Sequence, residues 1–313
     1  MPMRRDIDRV IYEVTEPRHG IGHRRELRAA GVSARAIDYR VAAGRLVPVH
    51  PQTYMIAGAP LTWTARLSAA VAWSRGAAGA RAAAHLHGLP GFDDAPIEVV
   101  TTNKRAMPHA GVVVHHTTWL PRDQVVQRRN IACTSTERTV MDLFGLVDRR
   151  RAGIALDHAL HNGIATLGSL DFCLFLTARR GRNGCGLMRE ALKARAGMDE
   201  FPNTALESVV FDLIADSDLP RPEPQVPILD EHGRVAGRPD FLYPDFKVIV
   251  EGHSRMWHLG VELEASDRRR HERLVNLGYD FVYVTWADAW HRPAATVARI
   301  RNALLDRGWR ENA

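Results

Sequence analysis

Apolar positions recur at helical spacing through most of the chain and alternate with period two only in short stretches. Helices are predicted over 4–15, over 24–30 with Gly31 just beyond the end, and over 34–43. Ser33 is a good N-cap for the third helix; Ala36, Ile37, Arg40 and Val41 recur at helical spacing before Gly44 ends it. Residues 46–56 alternate loosely and contain Pro48 and Pro51, which suits an edge ribbon. Helix, short turn, helix and ribbon is the plan of a winged helix-turn-helix, whose second helix enters the major groove. Arg35, Tyr39, Arg40 and Arg45 would then face DNA; the alternative is a small helical domain with a solvated arginine face. Residues 61–89 are alanine-rich and helical, with a break near 76–79. Residues 97–101 and 111–115 read as strands, Ser135 or Thr136 caps a further helix, and helices follow over 149–161, 167–178 and 186–195.

In the last third, Asn203 or Thr204 caps a helix running to about residue 214, with Leu206, Val209, Val210 and Leu213 on one face. Residues 219–224 form a stiff proline-rich connector, and 226–229 a first strand. Residues 239–243 and 246–251 then read as a hairpin about Pro244-Asp245. A two-residue loop sets Asp240 opposite Ile249 and puts Asp240, Glu251 and His253 on one face. The two carboxylates are then diagonal neighbours, roughly 7–8 Å apart at the backbone, a gap that suits one hard divalent cation. Asp240 and Glu251 are thus candidate ligands for Mg²⁺ or Mn²⁺, with the Gly252 carbonyl as a third. His253 or His258, titrating near neutrality, can take a proton from water. A helix opens at Asp267-Arg268-Arg269-Arg270, and those three arginines either grip phosphates or form a solvated face. Gly278 ends it; residues 279–285 are an apolar strand and 297–305 a closing helix.

Composition narrows the partners. The chain has 313 residues, 45% hydrophobic and 25% charged, which fits two or three ordinary domains. There is no run of 18 apolar residues and no apolar h-region near the start, so neither a membrane span nor a signal peptide is expected. Cys133, Cys173 and Cys185 form no pair, which points to a reducing cytoplasm. The net charge is +6; Lys104, Lys193 and Lys247 are the only lysines among 42 cations. Arginine suits bidentate phosphate contacts, although GC-rich coding also favours it. His85, His87, His115 and His116 lack a cysteine or carboxylate cluster to complete a zinc site and read as structural. No Gly-x-Gly-x-x-Gly or Walker-type loop supports nucleotide binding.

Two resemblances follow from these stretches. Arg238-Pro239-Asp240-Phe241, the apolar strand, His253, Trp257-His258 and Asp267-Arg268-Arg269-Arg270 resemble, in that order, the very-short-patch-repair branch of PD-(D/E)XK endonucleases over residues 203–309. The general motif has lysine where His253 stands; histidine there is similar to the repair enzyme. The resemblance implies that Glu207, on the helix before the motif, reaches the metal cluster, and that His253 and His258 sit at the scissile phosphate. The stretch from Glu26 to His50 with Thr53-Tyr54, and later Ala84-His85-Leu86-His87-Gly88-Leu89 and Thr136-Glu137-Arg138-Thr139, is similar to AbiE-type antitoxins, which repress their own operon through a winged helix. Their wing carries a basic residue that His50-Pro51-Gln52-Thr53-Tyr54 lacks.

The expectation is a multidomain α/β protein: a winged helix-turn-helix over 1–60, an α+β antitoxin-like segment over 61–200, and a restriction-endonuclease-like α/β/α domain over 201–313. Its expected activity is metal-dependent cleavage of double-stranded DNA, in repair or defence, with no membrane partner. A homodimer, and a toxin or repair protein as partner, are compatible with it. The alternative is a non-catalytic, antitoxin-like regulator with a degenerate nuclease-like tail; a third reading has the C-terminal domain cleave RNA.

Overall fold

The computed structural model describes residues 6–106, 109, 111–178, 182–198, 200–253 and 265–310, with His253 and residues 265–267 described in backbone only. The protein is mixed α/β and divides into two compact units, Met1–Leu146 and Val147–Ala313.

The first unit opens with α1 (Ile7–Thr15), β1 (Ile21–His23), α2 (Arg24–Ala29), α3 (Ala34–Ala42), β2 (Leu46–His50) and β3 (Thr53–Ile56). The three strands form an antiparallel sheet in the order β1-β3-β2. Asp6, His23 and Ser33 cap the helices by accepting from backbone N–H groups that would otherwise lack partners. Ile11, Leu27, Val32, Ile37, Leu46 and Tyr54 converge as the core of this part.

The same unit continues through α4 (Trp63–Ser74), β4 (Ala77–Ala78), α5 (Ala80–Leu86), β5 (Ile97–Thr101), β6 (Val112–His116), β7 (Val125–Arg128), β8 (Ile131–Thr134) and α6 (Thr136–Leu143). Its mixed sheet runs β6-β5-β4-β8-β7. The residues that carried the antitoxin resemblance are tied into this scaffold. Arg138 is buried, and its guanidinium donates to Asp142 and to Gln124 Oε1 at 2.8 Å. His87 pairs with Thr134 O at 2.7 Å, and His85 with Phe92 O at 3.1 Å. Glu98, fully buried on β5, accepts from Arg81 and lies 3.4 Å from His115 Nε2.

The second unit begins with α7 (Arg149–His161), α8 (Leu167–Thr177), α9 (Cys185–Arg195) and α10 (Ala205–Ala215). Helices α7 to α9, placed by sequence with the middle segment, therefore pack with the C-terminal part. The physical reason is a buried charge cluster. Arg195 donates to both oxygens of Asp157 on α7 and, at 3.0 Å, to Asp212 on α10, with all three side chains nearly or wholly excluded from water. Burial opposes the guanidinium's charge, but the two carboxylates outweigh it and push its pKa up. Gly153 makes room: a Cβ there would come within 2.6 Å of Asp212 Oδ2.

After β9 (Glu223–Pro224), β10 (Ile228–Leu229) and β11 (Val235–Gly237) come β12 (Phe241–Tyr243), β13 (Val248–His253), α11 (Ala265–Asn276), β14 (Asp280–Thr285), α12 (Trp286–His291) and α13 (Pro293–Asp306). The main sheet is β14-β13-β12-β9; β13 and β14 are parallel and the other pairs antiparallel. One face, with Phe241, Tyr243, Val248, Val250, Val282 and Val284, packs on α10, α12 and α13. The other, with Leu242 and Ile249, packs on Leu274 of α11 and on β10 and β11. The result is a helix–sheet–helix sandwich.

Replacing Arg195 by Met leaves two buried carboxylates without their cation. We expect a loss of about 3–5 kcal/mol in unfolding free energy. Arg195→Lys should recover little of it, because an ammonium cannot reproduce the fork that spans Asp157 and Asp212. Thermal and denaturant melts at neutral pH measure both variants.

Candidate functional site

The site gathers where α10 begins and where β12 and β13 come together. Thr204 Oγ1 accepts from Glu207 N–H and starts α10. Glu207 lies on the first turn, and its Oε2 reaches back to accept from Asn203 N–H at 2.9 Å. The same oxygen accepts from Gln225 Nε2 at 3.0 Å, and that amide also lies 3.4 Å from Asp240 Oδ1. Gln225 follows β9 directly, and its N–H donates to Asp240 O, so the pairing of β9 with β12 sets this bridge. Asp240, just before β12, accepts from Gly252 N–H through Oδ2 at 2.8 Å. The space at Gly252 is tight: a Cβ would meet Leu206 of α10 at 3.1 Å and lie in ordinary contact, at 3.5 Å, with Asp240 Oδ2.

Glu251 is buried on the α11 side of β13, and Arg270 grips it with two hydrogen bonds of 2.8 and 3.1 Å. In the parallel register Tyr283 of β14 lies beside Glu251, and its hydroxyl is 2.7 Å from His271 Nδ1. Burial, and next the Glu251 charge, push the Tyr283 phenol up to about 12. Asp240 is pushed up to about 7, first by burial, then by Glu207 and Glu251, against the opposing Gly252 N–H and Arg270. Among the described residues, Asp240, Glu207 and Glu251 stand here with Arg270, whose guanidinium is bonded to Glu251. Carboxylate oxygen donors suit a hard divalent cation. As placed, however, no three His, Cys, Asp or Glu side chains among the described residues are grouped to hold a metal ion.

The hairpin register differs from the sequence expectation. Tyr243 pairs with Val248 and Leu242 with Ile249, because Pro244–Phe246 form a 3₁₀ turn and Lys247 takes a left-handed conformation (φ 51°). The connection thus spans four residues where two were expected. A shift of two preserves which face each residue occupies, and continuing it sets Asp240 across from Glu251 instead of diagonal to it. His253 ends β13 in backbone, its side chain lies outside the described residues, and so does the whole of His258. The Gly252 N–H, not its carbonyl, contacts Asp240.

Of the arginines on α11, Arg268 and Arg269 are exposed, while Arg270 is committed to Glu251 and is not a free phosphate grip. In the first unit, Arg35 and Tyr39 lie exposed on α3. Arg40 departs from its expected role: it is largely covered and bonded to Asp8, which also holds Arg45 at 3.3 Å. Asp38, on the same exposed face of α3, pairs with Arg24 through two hydrogen bonds. Gln225 and the Tyr283–His271 pair were not anticipated. The proline-rich stretch reads as a connector, and only the pairing of β9 with β12 shows that it reaches the carboxylates.

No family model matches the chain. It is similar to the uncharacterized protein Rv2248 of Mycobacterium tuberculosis (strain ATCC 25618 / H37Rv), at 29% identity over 222 residues, which is 71% of this chain and 79% of that protein. The uncharacterized protein MT2308 of strain CDC 1551 / Oshkosh matches with the same figures.

Asp240 gives a pH signature. An unfolded aspartate titrates near ~3.9, whereas the folded carboxyl sits at about 7, so the folded state binds this proton more tightly. Its contribution to stability is full below the unfolded value and is lost as pH rises through about 7. Without divalent metal, we expect Asp240→Asn to melt higher than the native protein at pH ~8 and to lose that advantage by pH ~4. Parallel melting temperatures across that range would show that Asp240 is already ionised at its lower end.

Proposed function

We propose that the protein is a metal-dependent DNA endonuclease with its own DNA-binding head. The observation that carries this reading is the burial of Asp240 beside Glu207, the two bridged by the Gln225 amide, with Glu251 near enough for its charge to bear on Asp240. Carboxylates are rarely brought together out of water without a cation to hold, and a carboxyl raised toward neutrality is a mark of a working site. Asp240 and Glu207, with Glu251, would hold Mg²⁺ or Mn²⁺. When bound, such an ion neutralises phosphoryl oxygens and lowers the pKa of water.

The chain's own groups do the remaining work. The Gly252 N–H and the Gln225 amide fix the two oxygens of Asp240, so the carboxylate is oriented before substrate arrives. His253 or His258 would accept the proton from the attacking water. Arg268 and Arg269, exposed at the start of α11, would meet the phosphate backbone. In the first unit, three helices followed by a two-stranded ribbon are read as a winged helix, with Arg35 and Tyr39 as its DNA-facing residues and Asp8 holding Arg40 in place.

A second reading has its own observation. The grip of Arg270 on both Glu251 oxygens is what a disused site that has become structural would show, and it favours a non-catalytic DNA-binding regulator. Supercoiled plasmid and mismatched duplexes, incubated with Mg²⁺ or Mn²⁺, separate the two. The nuclease reading expects metal-dependent nicking that falls at least about a hundredfold in Asp240→Ala. Folded protein that cleaves none of these substrates would leave the regulator reading.

For the head, Arg35→Ala should weaken binding to duplex about threefold to tenfold and flatten its salt dependence. Arg40→Ala should chiefly lower the melting temperature, because its ion pair fastens α3 to α1. Gel shifts at two salt concentrations, beside melts, check both; unchanged binding by Arg35→Ala and Tyr39→Ala would remove α3 as the contact.

A further inference from the structure

The Arg270–Glu251 pair is asymmetric. The carboxylate side chain is 7% exposed and the guanidinium side chain 31%, so one partner is sunk on an inner strand of the sheet and the other reaches water. The pair is bidentate, which satisfies both Glu251 oxygens and leaves this carboxylate turned to α11 instead of to Asp240 and Glu207. Arg270 also reaches Arg238 O, at a long 3.4 Å, in the residue pair that leads into Asp240.

Helix α11 does not need this pair to stay docked. Leu274 is fully buried in the cluster with Ile228, Ala236, Leu242 and Ile249, and Arg273 donates twice to Ala236 O at 3.3 Å. The Arg270 side chain can therefore change partner while its helix stays in place. Its neighbours Arg268 and Arg269 are exposed, so a polyanion drawn to the start of α11 meets Arg270 next.

We propose that Arg270 is a latch on Glu251 that a nucleic-acid phosphate releases. In the free protein its guanidinium stands in for one unit of the cation's charge and keeps Glu251 out of the cluster. When a backbone phosphate arrives, the guanidinium passes from carboxylate to phosphate, since either oxyanion offers its fork a pair of oxygens. Glu251 then turns its oxygens to the divalent cation beside Asp240 and Glu207. Neither exchange is favourable alone, because a buried carboxylate stripped of its cation is strongly destabilising. Cation and polyanion must therefore bind cooperatively, each raising the affinity of the other by one factor. This inference rests on the nuclease reading of the site, and it explains why three acidic side chains lie close without forming a ready metal site.

The test is calorimetric and needs no cleavage. Ca²⁺, which takes the same oxygen ligands, is titrated into the full chain with and without a short DNA duplex. We expect the duplex to tighten Ca²⁺ binding to the native protein by about tenfold or more. Arg270→Met should bind Ca²⁺ without DNA nearly as tightly as the native protein does with it, and the duplex should add little. Arg270→Lys, which keeps the charge but not the fork, should fall between them and serves should the Met variant fail to melt cooperatively. If Ca²⁺ binds native and variant proteins alike and DNA tightens both equally, the latch is wrong and the metal site stands. If Ca²⁺ binds none of them, with or without DNA, the nuclease reading falls and takes the latch with it.

Discussion

The second unit depends on one buried cation. Arg195 joins three helices through Asp157 and Asp212, and Phe211 lies under its guanidinium at 5.0 Å. Helix α10 is therefore held from one side by charge and from the other by Leu206, Val209, Val210 and Ile214 against the sheet. That double constraint fixes where its first turn stands. Glu207 sits on that turn, so the position of a candidate ligand is set by an ion pair one and a half turns further along. Burying such a charge is unfavourable unless every oxygen is matched, and the absence of a side chain at Gly153 is part of the match.

The same physics operates at the carboxylate cluster with a different arrangement. At Arg195 one guanidinium faces two carboxylates and the helices close around them. Around Asp240, among the described residues, stand Glu207, Glu251, the Gln225 amide bridge and the Arg270 guanidinium, which bonds Glu251 and also reaches Arg238 O. Burial and like charge push Asp240 toward neutrality instead of being cancelled. Glu98 shows a compensated buried acid: burial opposes its charge, yet its carboxyl stays below its usual range because His115 and Arg81 bond to it.

Much of this was legible in the residues. A cap at Asn203 or Thr204, which Thr204 supplies, the apolar period of α10 and the apolar run of β13 are local signals, and local hydrogen bonding and burial decide them. The faces of Asp240 and Glu251 were also legible, although the loop was read too short, because face depends only on the parity of the count. What was not legible is what depends on long-range pairing. The proline-rich stretch carries no strand pattern, yet the partner across β12 makes Glu223–Pro224 a strand and brings Gln225 to the acids. Nor does an arginine run announce which member turns inward. Arg270 differs from Arg268 and Arg269 only by its position around α11, and Arg40 from Arg35 only by having Asp8 within reach. Charge partners across elements leave no periodicity to read.

The turn between β12 and β13 has a consequence for how this gene can drift. Its four residues hold Asp240 across from Glu251, and a change in length is felt as odd or even before it is felt as long or short. Losing or gaining two residues there slides one strand along the other but leaves every side chain on its own side. A single insertion or deletion would turn Leu242 toward α10 and Phe241 toward α11, and would part the acids in the same step. Length variation at this turn should therefore come in pairs of codons, while the exposed turn between β10 and β11, which orients no acid of the cluster, is free of that arithmetic.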